Sequence, residues 1–274
     1  MGSVAGSPHR TVVDGRSLFH AHAVGSLETQ TTVGVIAPYD LALDREMWRW
    51  VPDDVSLLFT RTPYAPMHVT MEMAHWVSRP DAVVRSVRDL SAVAPAVCAY
   101  ACTTGSFGRG VAGEQALAEQ IRLGGAPAAV TTSGALLAAL GHLGVERVAI
   151  ATPYGAEVTG HLASFLAEAG YAVPRYACLD LDRDIWTVPY DVTAGLVRDA
   201  DSPAADAIVV SCTNLATYDL IAPLEAELGK PVVTANQATM WAAMRAAGRA
   251  AVGPGQRLLE DGDSAFDRTQ GTVA

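Results

Sequence analysis

Two cysteines, Cys102 and Cys212, each precede a threonine at the close of an apolar run, in Tyr100-Ala101-Cys102-Thr103-Thr104 and Val210-Ser211-Cys212-Thr213-Asn214. A thiol becomes a base or a nucleophile when its pKa is lowered, and the N-terminus of a following helix or a string of backbone N–H groups does this. The run Thr103-Thr104-Gly105-Ser106 is rich in small hydroxyl residues and suits a loop whose amides converge on an anion; Thr213-Asn214 offers the same after Cys212. A carboxylate or enolate oxygen would sit between the two loops. Taken singly, a free cysteine is more often a buried packing residue. Cys98 and Cys178, in apolar or strand-like surroundings without a threonine neighbour, are read that way. Packing gives no reason for two thiols at equivalent strand ends, so Cys102 and Cys212 are read as a catalytic pair.

The equivalence comes from an internal repeat. Val33-Gly34-Val35-Ile36-Ala37-Pro38-Tyr39 is echoed by Val148-Ala149-Ile150-Ala151-Thr152-Pro153-Tyr154, and Ala129-Val130-Thr131-Thr132 by Val232-Val233-Thr234-Ala235. Each half runs in the same order: a strand ending in Pro-Tyr, one ending in Cys-Thr and one ending in Val-Thr. Such a repeat predicts two similar α/β units related by an approximate two-fold. Strands are expected at 33–37, 55–60, 96–101, 128–131, 147–151, 172–178, 207–211 and 231–234. Helices are expected at 44–50, 81–90, 114–123, 135–142, 157–169, 218–228 and 239–247. Strands apolar throughout, separated by amphipathic helices, imply parallel sheets covered on both faces. Ligands bind beyond the carboxyl ends of such strands, where both Cys-Thr and both Pro-Tyr steps fall. The domain reading is a leader over 1–30 expected to be disordered, a first α/β domain over 31–132 joined by 236–253, a second over 133–235, and a loose tail over 254–274.

Composition narrows the function. A chain of 274 residues that is 50% hydrophobic can bury a full core. Four cysteines are too few for a disulfide framework, and no apolar run approaches the roughly 20 residues of a membrane span, so a reduced cytoplasmic protein is expected, with no membrane partner. The first 30 residues lack the apolar stretch of a secretory signal. A net charge of −10 disfavours nucleic acid, and any anionic substrate must be held by local donors.

The motifs Gly34-Val35-Ile36-Ala37-Pro38, Cys102-Thr103-Thr104-Gly105-Ser106, Thr131-Thr132-Ser133, Ala151-Thr152-Pro153-Tyr154 and Ser211-Cys212-Thr213-Asn214-Leu215 together resemble the aspartate/glutamate racemase superfamily. Within it they are most similar to the branch of maleate cis-trans isomerases, arylmalonate decarboxylases and ectoine-utilisation racemase-like proteins, over roughly 33–253. The resemblance implies two pseudo-symmetric parallel-sheet α/β domains, an active site at their interface, chemistry that needs no cofactor, a small carboxylate substrate and a homodimer. Racemases of this kind use two cysteines on opposite faces of the substrate, places matched by Cys102 and Cys212. In maleate isomerases the first cysteine adds to the double bond, a role that would fall to Cys102 with Cys212 handling the proton. Arylmalonate decarboxylases normally keep only the second cysteine, so two thiols argue against a plain decarboxylase. Thr103, Thr104 and Tyr154 match the family's oxyanion pocket, and Thr213 stands where a backbone donor is expected. Asn214 and Asn236 are further candidates for the substrate carboxylate.

The chain also departs from that pattern. Maleate isomerases tend to carry an asparagine after the first strand, where this chain reads Pro38-Tyr39-Asp40-Leu41. Asp40 would repel a second carboxylate or pair with an amino or amidine nitrogen, or else cap the helix that follows. Tyr39, the counterpart of Tyr154, is a ligand-facing candidate on the same footing. His68 and His75 could share a helical face as metal ligands with Glu72, but no further ligand is close at typical spacing, and an apolar wall or lid is the better reading. Gly105, Gly108, Gly110 and Gly113 match neither a dinucleotide fingerprint nor a phosphate loop. Two other classes remain open: a non-enzymatic small-molecule binder, since fold does not determine function, and a redox protein with a reversible Cys102–Cys212 disulfide, which needs Cα atoms within about 7 Å.

Overall fold

The structure is a computed structural model that describes residues 30–260. The expected leader over 1–29 and the end of the expected tail, 261–274, lie outside the described residues. Strands β1 (Thr31–Ala37), β2 (Val55–Arg61), β3 (Val97–Tyr100) and β4 (Ala129–Thr131) form a sheet in the order β2-β1-β3-β4. Strands β5 (Val148–Thr152), β6 (Tyr176–Cys178), β7 (Ala207–Val210) and β8 (Val232–Thr234) form a second in the order β6-β5-β7-β8. Every pairing is parallel, and the second sheet repeats the first strand for strand. The α/β fold of two similar parallel sheets expected from the repeat is the fold observed. Its strands are apolar throughout because helices cover both faces: β3, β5, β7 and β8 are buried along their whole length.

Parallel register places the functional ends. Tyr100 pairs with Ile36, and Val210 with Ala151, so Cys102 and Cys212 each lie two residues beyond the last residue of an inner strand, at the carboxyl edge of its sheet. The two halves also meet through their closing helices. Thr131 and Thr234 end their strands and cap the helices Thr132–His142 and Ala235–Ala246, accepting bonds from Gly134 and Gln237 N–H. The first of these helices sends Leu136 and Leu140 into the cluster around the second sheet. The second divides its apolar side chains, Met240 and Met244 going to the first sheet and Ala238 and Trp241 to the second. The helices touch through the Thr132 and Thr239 hydroxyls, 2.9 Å apart.

Several segments differ from expectation. The strand expected from Ala172 begins only at Tyr176: after a bridge at Ala172, Pro174 has no N–H to extend the ladder. The helix Tyr190–Ala200 was not foreseen, because Val192, Thr193 and Gly195 are poor helix formers; burial of Leu196, Val197 and Ala200 holds it in place. The loop expected after Cys102 is a short helix, Thr103–Phe107. The loose tail is anchored as far as 260. Gln256 is buried and takes bonds from Trp50 Nε1 at 2.9 Å and Gln237 Nε2 at 3.0 Å, and Leu258 is buried behind it. Among the described residues no helix is long and apolar enough to cross a membrane.

Candidate functional site

Cys102 is positioned by local structure. It caps the helix Thr103–Phe107 from extended backbone (φ −148°), its sulfur accepting from Gly105 N–H at 3.4 Å and lying 3.5 Å from the Thr104 hydroxyl. Tyr100 lies at its back. That hydroxyl is buried without a hydrogen-bond partner, close enough to the sulfur to favour its thiolate. Residue 105 must be glycine here, because a side chain would strike the Tyr100 hydroxyl. Desolvation outweighs these donors: burial pushes the Cys102 thiol up to about 11, with the charge of Asp40 adding to it.

Cys212 is held by bonds from a distance. Its φ of 96° lies in the left-handed region, which costs an L residue about 1–2 kcal/mol and persists only where the surroundings enforce it. The surroundings here are specific. The Thr213 hydroxyl donates to Ala101 O at 3.1 Å, tying this loop to the residue before the other cysteine. The Asn214 side chain donates to Asp40 O and accepts from Ala42 N–H, both at 2.9 Å. Beneath them Asn236 Nδ2 donates to Thr213 O at 3.0 Å and to the buried Glu46 carboxylate at 2.7 Å. Glu46 also receives Thr217 and Tyr218 N–H at 2.5 and 2.7 Å, and burial raises its pKa. The Cys212 sulfur accepts from Asn214 N–H at 3.3 Å, and the Tyr154 hydroxyl favours its ionised form. Desolvation again dominates and pushes the thiol up to about 12, with the charges of Asp40 and Cys102 contributing.

The two sulfurs line one small cleft together with Pro38, Asp40, Thr103, Thr104, Tyr154, Thr213 and Asn214, roofed by Val69, Met73 and Ile185. The non-atom space bounded by this lining, open solvent included, is about 310 Å³, and the enclosed part is small. Three hydroxyl side chains of the lining are candidate donors. Thr103 Oγ1 is buried without a partner, Thr104 Oγ1 is shared with Cys102, and Tyr154 OH accepts from Ser211 Oγ at 3.4 Å, leaving its proton for the Cys212 sulfur or a ligand beside it. Asp40 is the one acid of the lining, and the lining contains no lysine, arginine or histidine. Burial raises the Asp40 pKa. A second space of about 470 Å³ adjoins the first and shares Asp40, Val69, Ile185 and Asn214 with it. The segments on either side of this outer chamber are clasped together, with Val69 N–H donating to Asp182 O at 2.8 Å and His68 Nδ1 lying 2.6 Å from the Asp182 carboxylate.

Three sequence candidates have other work. Tyr39 does not line the cleft: its hydroxyl donates to Met67 O at 3.3 Å and its ring packs edge-on against Tyr64. Its equivalence to Tyr154 fails because this turn presents Pro38 and Asp40 to the cleft and turns Tyr39 to Met67 and Tyr64. Asn236 is buried below the floor with its amide protons held by Glu46 and Thr213, so it positions the Cys212 loop and does not bind a carboxylate. The side chain of Asn214 borders the cleft, but its amide is occupied by the backbone at 40 and 42. Asp40 does not cap the following helix, whose N-cap is Leu43 with no side-chain bond. His68 pairs with Asp182, and His75 Nε2 lies 3.2 Å from Gly108 O. Among the described residues no three His, Cys, Asp or Glu side chains converge as a metal site. All four cysteines are free thiols.

Two thiols at duplicated strand ends, with hydroxyl side chains in the same cleft, are the geometry to set beside known proteins. Residues 53–259 match the family described as Arylmalonate decarboxylase. The chain belongs to that family. Arylmalonate decarboxylase of Bordetella bronchiseptica is 34% identical over 240 residues, which cover 84% of this chain and 96% of that protein. Maleate isomerase of Nocardia farcinica is 29% identical over 232 residues, covering 78% of this chain and 92% of that protein. Among solved structures, a cysteine-to-serine variant of Nocardia farcinica maleate cis-trans isomerase with a covalently bound succinylcysteine intermediate superposes with a TM-score of 0.75 at 25% identity, covering 84% of this chain and 98% of that one. These relatives place the chain in the Asp/Glu racemase-like branch that its motifs resemble. Within this site, sequence reasoning missed Glu46, Tyr100 and Ile185, whereas Val69 and Met73 come from the segment around His68 and His75 that was expected to form an apolar wall or lid. Glu46 stands among helix-opening acids and reads as solvated; only its burial reveals it.

Proposed function

We propose that this member of the arylmalonate decarboxylase family is a cofactor-independent isomerase of the racemase type that moves a proton on a small carboxylic acid through an enediolate. The observation that carries the reading is that Cys102 and Cys212, from opposite halves, line one cleft with a set of hydroxyl donors. One sulfur, as thiolate, takes the proton from the carbon next to the carboxylate. The C–H electron pair passes into the carboxylate, and the resulting enediolate accepts bonds from Thr103, Thr104 and Tyr154. The other thiol returns a proton to the opposite face and is left as the thiolate, so protons balance over the turnover. Donors already in place act most strongly where charge develops, and Thr103 Oγ1, buried and unpartnered, is such a donor.

A decarboxylase needs one thiol to protonate the enediolate left by loss of CO2, which would leave the second sulfur without a role. The covalent succinylcysteine of the maleate isomerase relative supports cysteine chemistry at this family's site. Maleate itself fits this cleft poorly, because its second carboxylate would meet Asp40.

The test is turnover of a panel of chiral 2-substituted acids and of malonates in deuterium oxide, followed by NMR and chiral chromatography. Racemisation with one solvent deuterium at the α-carbon and no CO2 release is expected. CO2 release without exchange of a chiral acid would replace the proposal with a decarboxylase. Cis-trans conversion without deuterium uptake would replace it with thiol addition.

A further inference from the structure

From the placement of Asp40 we infer that the substrate carries a protonated nitrogen, amino or amidino, which this carboxylate receives. The inference deepens the reading above and rests on one part of it, that substrate occupies the cleft between the two thiols.

Asp40 lies where that cleft meets the outer chamber and lines both. Its loop is held in place: Asn214, two residues past Cys212, binds the backbone of 40 and 42 through both ends of its amide. The Asp40 carboxylate takes a bond from its own backbone N–H and, among the described residues, makes none to another side chain. Its cationic neighbour Arg61 is engaged with Asp44 at 2.7 Å. A half-buried carboxylate that makes no ion pair of its own, with Arg61 acting on it only through space, is costly unless a ligand supplies a partner.

The rest of the lining points the same way. The inner cleft offers neutral hydroxyl donors to one carboxylate and no cation to a second. The outer chamber adds Asp182 and Asp184, and its one cation, Arg183, is paired with Asp182 at 3.2 Å. The arrangement therefore suits an acid with one carboxylate at the thiols and a positive group at Asp40, and it repels a dianion. It also connects binding to chemistry. The negative charge of Asp40 raises the pKa of both Cys102 and Cys212. A substrate cation paired with Asp40 cancels that field and eases formation of the thiolate that the proton transfer requires.

Two measurements test this. Thiol modification of the full chain by 2-aminoethyl methanethiosulfonate, a cation, is compared with that by 2-sulfonatoethyl methanethiosulfonate, an anion. The cation should win at Cys102 and Cys212, and Asp40→Asn should cut that preference about tenfold, the effect of roughly one pK unit of charge interaction, while Asp89→Asn, exposed and outside both linings, should not. Thermal shifts are then recorded for α- and ω-amino acids of two to six carbons, for their des-amino counterparts and for maleate. At least one amino acid should stabilise the wild type, its des-amino partner and maleate should not, and Asp40→Asn should erase the difference. An unchanged reagent preference in Asp40→Asn overturns the inference. So does equal binding of amino and des-amino acids, tighter binding of maleate, or no binding across the series. Asp40-dependent binding of an amino acid that undergoes no α-deuterium exchange supports the nitrogen contact and removes the two-thiol mechanism instead.

Discussion

The loops carrying Cys102 and Cys212 begin at equivalent points of duplicated sheets and then part company. Cys102 sits in ordinary extended backbone, and its partners at Gly105 and Thr104 lie within three residues of it. Cys212 sits at φ 96°, with no helix directly after it, and its loop is held by Ala101, Asp40, Ala42, Glu46 and Asn236. Duplication has kept the place of the sulfur and changed the means of holding it. The first thiol is set by local sequence. The second depends on the first half of the chain being folded around it. Because Thr213 bonds the carbonyl of Ala101, the residue before Cys102, the separation of the two sulfurs is set by the same contacts that hold the second loop.

The largest expected effect asks whether the two thiols are equal partners. Cys102→Ala and Cys212→Ala should each lower turnover by about 10³-fold or more with unchanged circular dichroism, since the loss is of a proton-transfer group. If each sulfur serves one face, each variant should still exchange the α-hydrogen of one enantiomer only. Full turnover in either variant would break the equivalence. A smaller effect concerns charge. Burial pushes the Cys102 thiol up to about 11 and the Cys212 thiol up to about 12, which favours the protonated form of both at neutral pH. Iodoacetamide labelling of the free enzyme, followed by mass spectrometry, should rise about tenfold per pH unit from 7 to 9, because the thiolate fraction does so below the pKa. Cys102 should be labelled ahead of Cys212. A plateau near neutrality would mean that a thiolate already exists in the resting site.

The smallest effect isolates the backbone difference. At position 212 glycine should be more stable than alanine by about 1 kcal/mol, because it relieves the left-handed conformation. At position 102, in extended backbone that alanine adopts without strain, the helix N-cap preference for glycine is offset by its greater unfolded freedom, so the two should differ by less than at 212. Denaturant melts of the four variants measure both differences. Equal values at 212 would mean that its conformation carries no strain.

Much of the fold was legible in the chain. Buried parallel strands must be apolar throughout, so the runs before Pro38, Cys102, Pro153 and Cys212 stand out, and their repetition predicts two like sheets. Helices with weak local signals were not legible. Tyr190–Ala200 forms against poor propensities because a core receives its apolar face, and Thr103–Phe107 forms where small residues suggest a loop. In the site, Cys102, Cys212, Thr103, Thr104, Tyr154 and Asp40 are named by residue type and place, and all line the cleft. Tyr39, Asn214 and Asn236 have the right chemistry, but their polar groups are engaged elsewhere.

The sequence by itself determined where the sulfurs stand, because strand ends follow from runs of consecutive residues and parallel register. Only the tertiary structure decided which polar groups remain available to a substrate. Asn214 meets the carbonyl of Asp40 across 174 residues of chain, and Glu46 meets Asn236 across 190. A hydrogen-bonding group is free or occupied according to what the fold brings within about 3 Å of it, and no local spacing records that.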